Sequence, residues 1–263
     1  MALSRDLHKA REAYRQGDRE ASAAAHNAAH SPERHQQHTG QYIKSGVYGG
    51  LDGIVTTFAV VAGAAGADLS AGVALILGFA NLVADGLSMA IGDYLSTRSE
   101  QEYHRAERRR EEWEVTHYPE GEKRELVELY VSRGMNEDDA RAIVEILARH
   151  PQVWVDVMMT EELRILDSDE SPWKNAAVTF VSFALFGFVP LLAFVLSHSV
   201  GWFGDHLFLA ACGLTAATLF ALGAVKTKIT GRSWFLSGCE MLLVGGIAAA
   251  AAYLVGVLLG GLA

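Results

Sequence analysis

The stretch AGVALILGFANLVADGLSMAIGDYL, Ala71–Leu95, holds no Lys or Arg and only two acids, Asp85 and Asp93; it runs directly into STRSEQEYHRAERRREEWEV, residues 96–115, where charge is dense. A bilayer-spanning helix needs roughly 20 mostly apolar residues, because the hydrocarbon core is about 30 Å thick and each helical residue rises about 1.5 Å. The first stretch meets that length, and the second membrane helix it forms can continue into the charged segment without a break. Working outward, four more runs are long and apolar enough: Lys44 to Ala65, Asn175 to Leu196, Phe203 to Val225 and Trp234 to Leu259. The first two spans are rich in Gly, Ala and Ser, as is Gly245-Gly246-Ile247 with the five alanines after it, a composition suited to helix backbones that approach closely inside a membrane. The sequence therefore predicts an all-α polytopic membrane protein with five transmembrane helices and an inserted helical domain.

Charge follows the same division. The 263 residues carry a net −9, yet residues 1–43 hold 5 acids and 6 bases, residues 100–170 hold 20 acids and 10 bases, and the rest hold 6 of each. The acidity belongs to one central block. No basic stripe exists to displace phosphate counterions, which argues against nucleic acid as a partner. Cys212 and Cys239, both in apolar runs, make neither a disulfide scaffold nor a cysteine zinc site. Lys44, Arg98, Lys174, Lys226, Lys228 and Arg232 flank one set of span ends, while the links 66–70 and 197–202 carry no base. The positive-inside rule then places the N-terminus and the acidic block in the cytoplasm and the C-terminus on the opposite side. The polar residues 1–41 lack the apolar core of a secretory signal. The domains read as a polar, His-containing N-terminal tail (1–43), spans one and two (44–97), a cytosolic acidic helical domain (98–172) and spans three to five (173–263).

Within the acidic block the pattern predicts helices over Arg105–Val115, Glu120–Ser132, Asn136–Arg149 and Val153–Leu166. Turn signals at Tyr118-Pro119, Arg133-Gly134 and His150-Pro151 separate them, and Asn136 is a candidate N-cap. Ala140, Ile143, Val144 and Leu147 form an apolar stripe on the third helix. Glu111 and Glu114 lie three apart on one helix, Glu122 and Glu125 repeat the spacing on the next, and Glu161 or Glu162 lies one turn beyond the thioethers Met158 and Met159. Carboxylates so placed repel unless a cation neutralises them, which favours divalent metal, and the methionines add soft sulfur suited to transition ions over Mg²⁺ or Ca²⁺. Glu-rich helices also serve as plain solvated faces, and Arg108, Arg109 and Arg110 can pair with many of these acids.

Ionisable groups at membrane depth mark candidate functional sites, because even translocon scales charge them roughly 2.5 to 3.5 kcal/mol at a helix centre. Asp52 sits among glycines in the first span. On the second span Asn81, Asp85, Met89 and Asp93 recur every four residues and form one polar stripe, a ladder of oxygen donors and one thioether that a divalent cation could descend. Asp93 also reads as an interfacial residue, and Glu240 as an interfacial or paired charge.

Several runs, taken in order, resemble one family. They are Gly49-Gly50-Leu51-Asp52-Gly53-Ile54-Val55-Thr56-Thr57-Phe58-Ala59, Ser88-Met89-Ala90-Ile91-Gly92-Asp93-Tyr94-Leu95, the Pro151 to Glu162 segment and Val225-Lys226-Thr227-Lys228. From about Gln41 onward the chain resembles the vacuolar iron transporter family, as a bacterial-type member. The resemblance implies a homodimer embedded in membrane lipid that exports cytosolic Fe²⁺, with Mn²⁺ as a second cargo, in exchange for protons through a pathway at the dimer interface. It implies that Asp52 and Met89 line that pathway, and that Glu111, Glu114, Glu122, Glu125, Met158, Met159 and Glu162 bind metal in the cytosolic domain. Asn81 stands where plant and yeast type members carry a glutamate. A neutral amide can ligate metal but cannot carry the exchanged proton, which leaves Asp85 as the substitute carboxylate.

Two other classes fit the residues less well. A membrane-embedded metal sensor or storage scaffold would share the acidic domain without flux. An intramembrane enzyme lacks support, since no His-Glu-x-x-His motif and no nucleophile with an evident base are present. No tightly bound cofactor is expected; Fe²⁺, Mn²⁺ or Zn²⁺ would be cargo or bound ion. The tail residues His26, His30, His35 and His38 read as part of a disordered polar segment, with weak Zn²⁺ or Fe²⁺ binding as the alternative.

Overall fold

The computed structural model describes residues 7–27, 37–166, 170–197, 206–230 and 233–262, and the chain divides into two compact units, Met1–Gln41 and Tyr42–Ala263. In the first unit two short helices, α1 (Leu7–Gln16) and α2 (Arg19–Asn27), stand where a disordered tail was expected. Gly17, at φ 67°, takes the left-handed turn between them. The Asp18 carboxylate then caps α2 by accepting from the backbone N–H groups of Glu20 and Ala21 at 2.9 and 3.0 Å. His30 and His35 lie outside the described residues, as do the side chains of His26 and His38.

The remaining helices are α3 (Gln37–Gly66), α4 (Ala71–His117), α5 (Pro119–Ser132), α6 (Glu137–Leu147), α7 (Pro151–Val157), α8 (Pro172–Gly187), α9 (Val189–Leu196), α10 (Leu207–Thr230) and α11 (Trp234–Leu259). Four of them, α3, α4, α10 and α11, are long and apolar enough to cross a membrane. The fifth expected span is a bent pair. Pro190 sits in the first turn of α9 and cannot donate a backbone hydrogen bond to α8, so the two helices meet at 42°. Helix α10 continues through Lys226 and Lys228, so the basic link predicted there is partly helical.

One apolar core joins the long helices. Phe58 and Val61 of α3, Leu82 of α4, Leu191 and Phe194 of α9 and Ala211 of α10 are buried together. Helix backbones touch where glycine permits it. A Cβ on Gly53 would run into the Phe183 carbonyl of α8, and one on Gly256 of α11 would run into the Gly63 carbonyl of α3.

At 47 residues, α4 is about 70 Å long, more than twice what a bilayer requires. The helix predicted separately over 105–115 is its distal end. Beyond the spans, α5, α6 and α7 pack against that end around Val115, Leu126, Val144, Trp154, Val155 and Met158. Asn136 caps α6 by accepting from the Asp139 backbone N–H at 2.8 Å, as its position predicted. The apolar stripe on α6 is narrower than expected, with Ala140 and Val144 buried and Ile143 exposed. The last predicted helix also differs: after Val157 the chain makes a π turn, Met158–Glu162, and leaves it through Arg164 at φ 56°.

Candidate metal centre and membrane pathway

The acidic site is assembled by a one-residue turn. The Tyr118 N–H bonds back to the Glu114 carbonyl at 2.7 Å, closing α4, and Pro119 opens α5 at the first helical position, where its missing N–H costs nothing. This turn folds Glu111 and Glu114 of α4 against Glu122 of α5. Glu122 lies in the first turn of α5, where the helix dipole favours negative charge. One carboxylate oxygen from each of Glu111, Glu114 and Glu122 lies within 4.8 Å of the others, and the same holds for Glu122, Glu125 and Glu162. Glu122 is common to both triads. Glu161, the alternative to Glu162 in the sequence, faces elsewhere: Arg133 binds both its carboxylate and, at 2.8 Å, its carbonyl.

Burial makes this cluster unlike a solvated acidic face. Glu111 is 2 % exposed and Glu122 4 %, and one carboxylate oxygen in each of Glu111, Glu122 and Glu162 is buried without a hydrogen-bond partner. An uncompensated buried carboxylate is costly, and it answers by holding a proton or by taking a cation. Burial, and then the charges of Glu111, Glu125, Glu114 and Glu162, push Glu122 up to about 7. Burial, with the charges of Glu111 and Glu125 and a hydrogen bond that the protonated Glu162 carboxyl donates to Glu125, does the same to Glu162. Glu111 is also raised, chiefly by burial, against the pull of Arg110. Near neutral pH Glu122 and Glu162 are therefore only partly ionised.

Arg110 is a member of the site that the sequence offered only as one of three adjacent arginines. Its guanidinium pairs with Glu107 at 2.9 Å, Glu111 at 3.1 Å and Glu114 at 3.4 Å. The i,i+3 and i,i+4 spacing of Glu107 and Glu114 about Arg110 was the available signal. Met158 and Met159, 0 % and 4 % exposed, lie in the apolar core of the domain on the same π turn that carries Glu162. The carboxylate oxygens of the two triads are the ligand atoms brought together here; the methionines are packed in the apolar core beneath that turn.

In the spans, the Thr56 hydroxyl of α3 donates to the Asp52 carbonyl at 2.8 Å and accepts from the Asn81 amide of α4 at 3.4 Å. This link brings the predicted pathway residues of the two helices together, and Asp85 is near enough to act on Asp52 through its charge. Asn81, Asp85 and Met89 are all half-buried on one face of α4. Asp93 departs from the ladder, because its carboxylate accepts from the Thr179 hydroxyl of α8 at 2.6 Å and so ties helices together. Farther along, Asn175 donates to Glu170 at 2.7 Å and to Thr97 at 3.3 Å, a buried polar junction for which the sequence held no regular signal.

Comparison with known proteins adds an independent finding. The VIT family model matches residues 43–257. The chain is 43 % identical over 268 residues to a vacuolar iron transporter of Toxoplasma gondii, covering 97 % of this chain and 89 % of that protein. It is 34 % identical over 266 residues to the vacuolar iron transporter of Plasmodium falciparum, covering 98 % and 97 %. A vacuolar iron transporter 1 of Oryza sativa is 32 % identical over 232 residues, covering 88 % and 90 %. These relatives are eukaryotic. The first two alignments also reach into residues 1–40, which the resemblance read from the sequence left outside the match.

Proposed function

The chain belongs to the VIT family and is an integral membrane transporter, not an enzyme, and from that premise we propose that it exports cytosolic Fe²⁺, with Mn²⁺ a second cargo, in exchange for protons. The observation that carries this reading is the pair of glutamate triads sharing Glu122, with buried carboxylate oxygens left unpartnered; two triad members, Glu111 and Glu114, stand on the helix that also bears Asp85 and Met89. Placement of Lys and Arg supports a cytoplasmic N-terminus and acidic domain, with the C-terminus across the membrane.

Fe²⁺ from the cytosol enters the glutamate cluster and displaces protons held by Glu122 and Glu162. Capture there raises the ion's concentration at the inner end of the spans. The ion then passes to Asp52, Asp85 and Met89, with Asn81 contributing an amide oxygen. Protons arriving from the far side neutralise Asp52 and Asp85, release the ion outward and return inward. Asn81 takes no part in that exchange, since an amide does not titrate. Two copies of the chain enclose the pathway, each contributing its Asn81–Asp85–Met89 face.

The test is flux into proteoliposomes. Fe²⁺ uptake should be accelerated by the outward flow of protons from an acidic lumen, and Asp52→Ala should abolish uptake. Uptake that ignores the pH gradient would remove the exchange mechanism, and full uptake by Asp52→Ala would remove the pathway assignment. Metal binding with no flux under any gradient would leave a sensor or storage scaffold.

A further inference from the structure

The face of α4 turned away from the polar stripe bears a cleft that neither the pathway nor the acidic domain uses. Helical residues advance by about 100° each, so Leu87, Ile91, Tyr94 and Arg98 align about half a turn from Asn81, Asp85 and Met89. Trp173, Ala177 and Phe180 of α8 form the opposite wall, and the open cleft between has a volume of 310 Å³. Its walls are almost wholly apolar along the spans. At one end the character changes. The Tyr94 and Trp173 rings lie 4.7 Å apart, inclined at 46°, and Arg98 donates to the Tyr94 hydroxyl at 3.3 Å. Lys174 adjoins Trp173, is exposed, and has no side-chain partner among the described residues.

We propose that this cleft is a binding site for an anionic phospholipid of the surrounding leaflet, with an acyl chain between α4 and α8 and the phosphate at Lys174 and Arg98. The apolar walls suit a hydrocarbon chain. The Tyr94–Trp173 pair marks the headgroup level, where amphipathic rings collect. Charge selects the headgroup: basic residues at a transmembrane helix boundary favour anionic lipid. Among the described residues, three acids toward this end have partners of their own: Glu102 with Arg98 at 2.9 Å, Glu170 with Asn175 at 2.7 Å and Asp93 with Thr179 at 2.6 Å. A second copy of the chain is the competing occupant. On one point the site rests on the proposed pathway: a partner set against the polar stripe leaves the opposite face of α4 to lipid.

Trp173, 73 % exposed at the mouth of the cleft, is a built-in reporter. Full-length protein is placed in phosphatidylcholine vesicles containing equal fractions of brominated phosphatidylglycerol or brominated phosphatidylcholine. Subtracting the fluorescence of Trp173→Phe isolates the Trp173 signal. Brominated phosphatidylglycerol should quench it with an apparent affinity at least about fivefold higher, since each basic residue near an anionic surface is worth about that factor. Lys174→Gln should lose about fivefold of this preference, and Arg98→Gln a similar share. Should either variant fail to fold, raising the salt concentration must weaken the preference in the unaltered protein. Equal quenching by both lipids overturns the proposal, because the cleft then meets lipid without selecting it. Quenching by neither overturns it in favour of a protein-covered face. A preference that persists while Asp52→Ala retains flux would sink the pathway reading and leave the lipid site standing.

Discussion

Arg110 holds the cluster's acids in the absence of metal, and it does so with a charge that metal must replace. Its guanidinium reaches Glu107, Glu111 and Glu114, and two of these are candidate ligands. Half-exposed ion pairs are weak, so the arginine is a displaceable counter-ion and not a lock. Replacing it by glutamine removes both the competitor and a local positive charge, and each change favours a cation. Arg110→Gln should therefore bind Mn²⁺ about two- to fivefold more tightly in calorimetry of the full-length protein, and its metal-free form should unfold at a lower temperature. Weaker binding would mean that Arg110 orients the carboxylates.

The same scale sets a pH dependence. Glu122 and Glu162 are raised to about 7 in the folded chain from an ordinary 4.5. Between those values the folded protein holds more protons than the unfolded one, so stability falls as pH rises through that window. The metal-free protein should melt progressively lower from about pH 5 to about pH 8 on this account. Saturating Mn²⁺ should flatten the slope, because the ion takes over the role of the protons. Glu122→Gln should also flatten it without metal, which a melting series in buffers of matched ionic strength would read directly.

At the scale of elements, helix contacts in the spans depend on missing side chains. A Cβ on Gly53 meets the Phe183 carbonyl, which is backbone and cannot rotate aside, whereas one on Gly213 meets nothing within 4 Å. Gly53→Ala should destabilise the detergent-solubilised protein by about 1 to 3 kcal/mol, the usual cost of overpacking. Gly213→Ala should be neutral or slightly stabilising. Equal melting temperatures for the two variants would contradict the tight α3–α8 contact.

These elements also show what a sequence can and cannot display. The apolar runs of α3, α4 and α11 were legible because lipid imposes a length and an absence of charge that no other environment requires. The α8–α9 bend was legible in principle from Pro190, although the hydropathy alone reads through it. Glutamate spacing announced the triads, since i,i+3 neighbours on a helix must share a face. Spacing alone did not decide between Glu161 and Glu162; only the family resemblance named Glu162. The choice depends on the π turn at Met158–Glu162, and a turn of that register is settled by packing of Trp154, Val155 and Met158 against α4 and α5. Arg110 was hidden for a related reason: which of three adjacent arginines meets the acids is decided by where α5 folds back.

For the whole molecule, the length of α4 connects two sites of different character on a single rigid rod. On the proposed function, the buried carboxylates of the acidic domain at one end bind when the ion is scarce, and the stripe within the spans releases the ion as readily as it accepts it. If the domain acts by concentrating Fe²⁺ at the inner mouth, its benefit disappears once the stripe is saturated. Glu122→Ala, which breaks both triads at their common residue, should then raise the metal concentration needed for half-maximal flux and leave the maximal rate nearly unchanged. Asp52→Asn should do the reverse, removing flux at every concentration while Mn²⁺ binding to the full-length protein persists. Flux measured across a range of Fe²⁺ concentrations separates the two outcomes. A lowered maximal rate in Glu122→Ala, with the half-maximal concentration unmoved, would instead make the domain a gate whose loading opens the pathway.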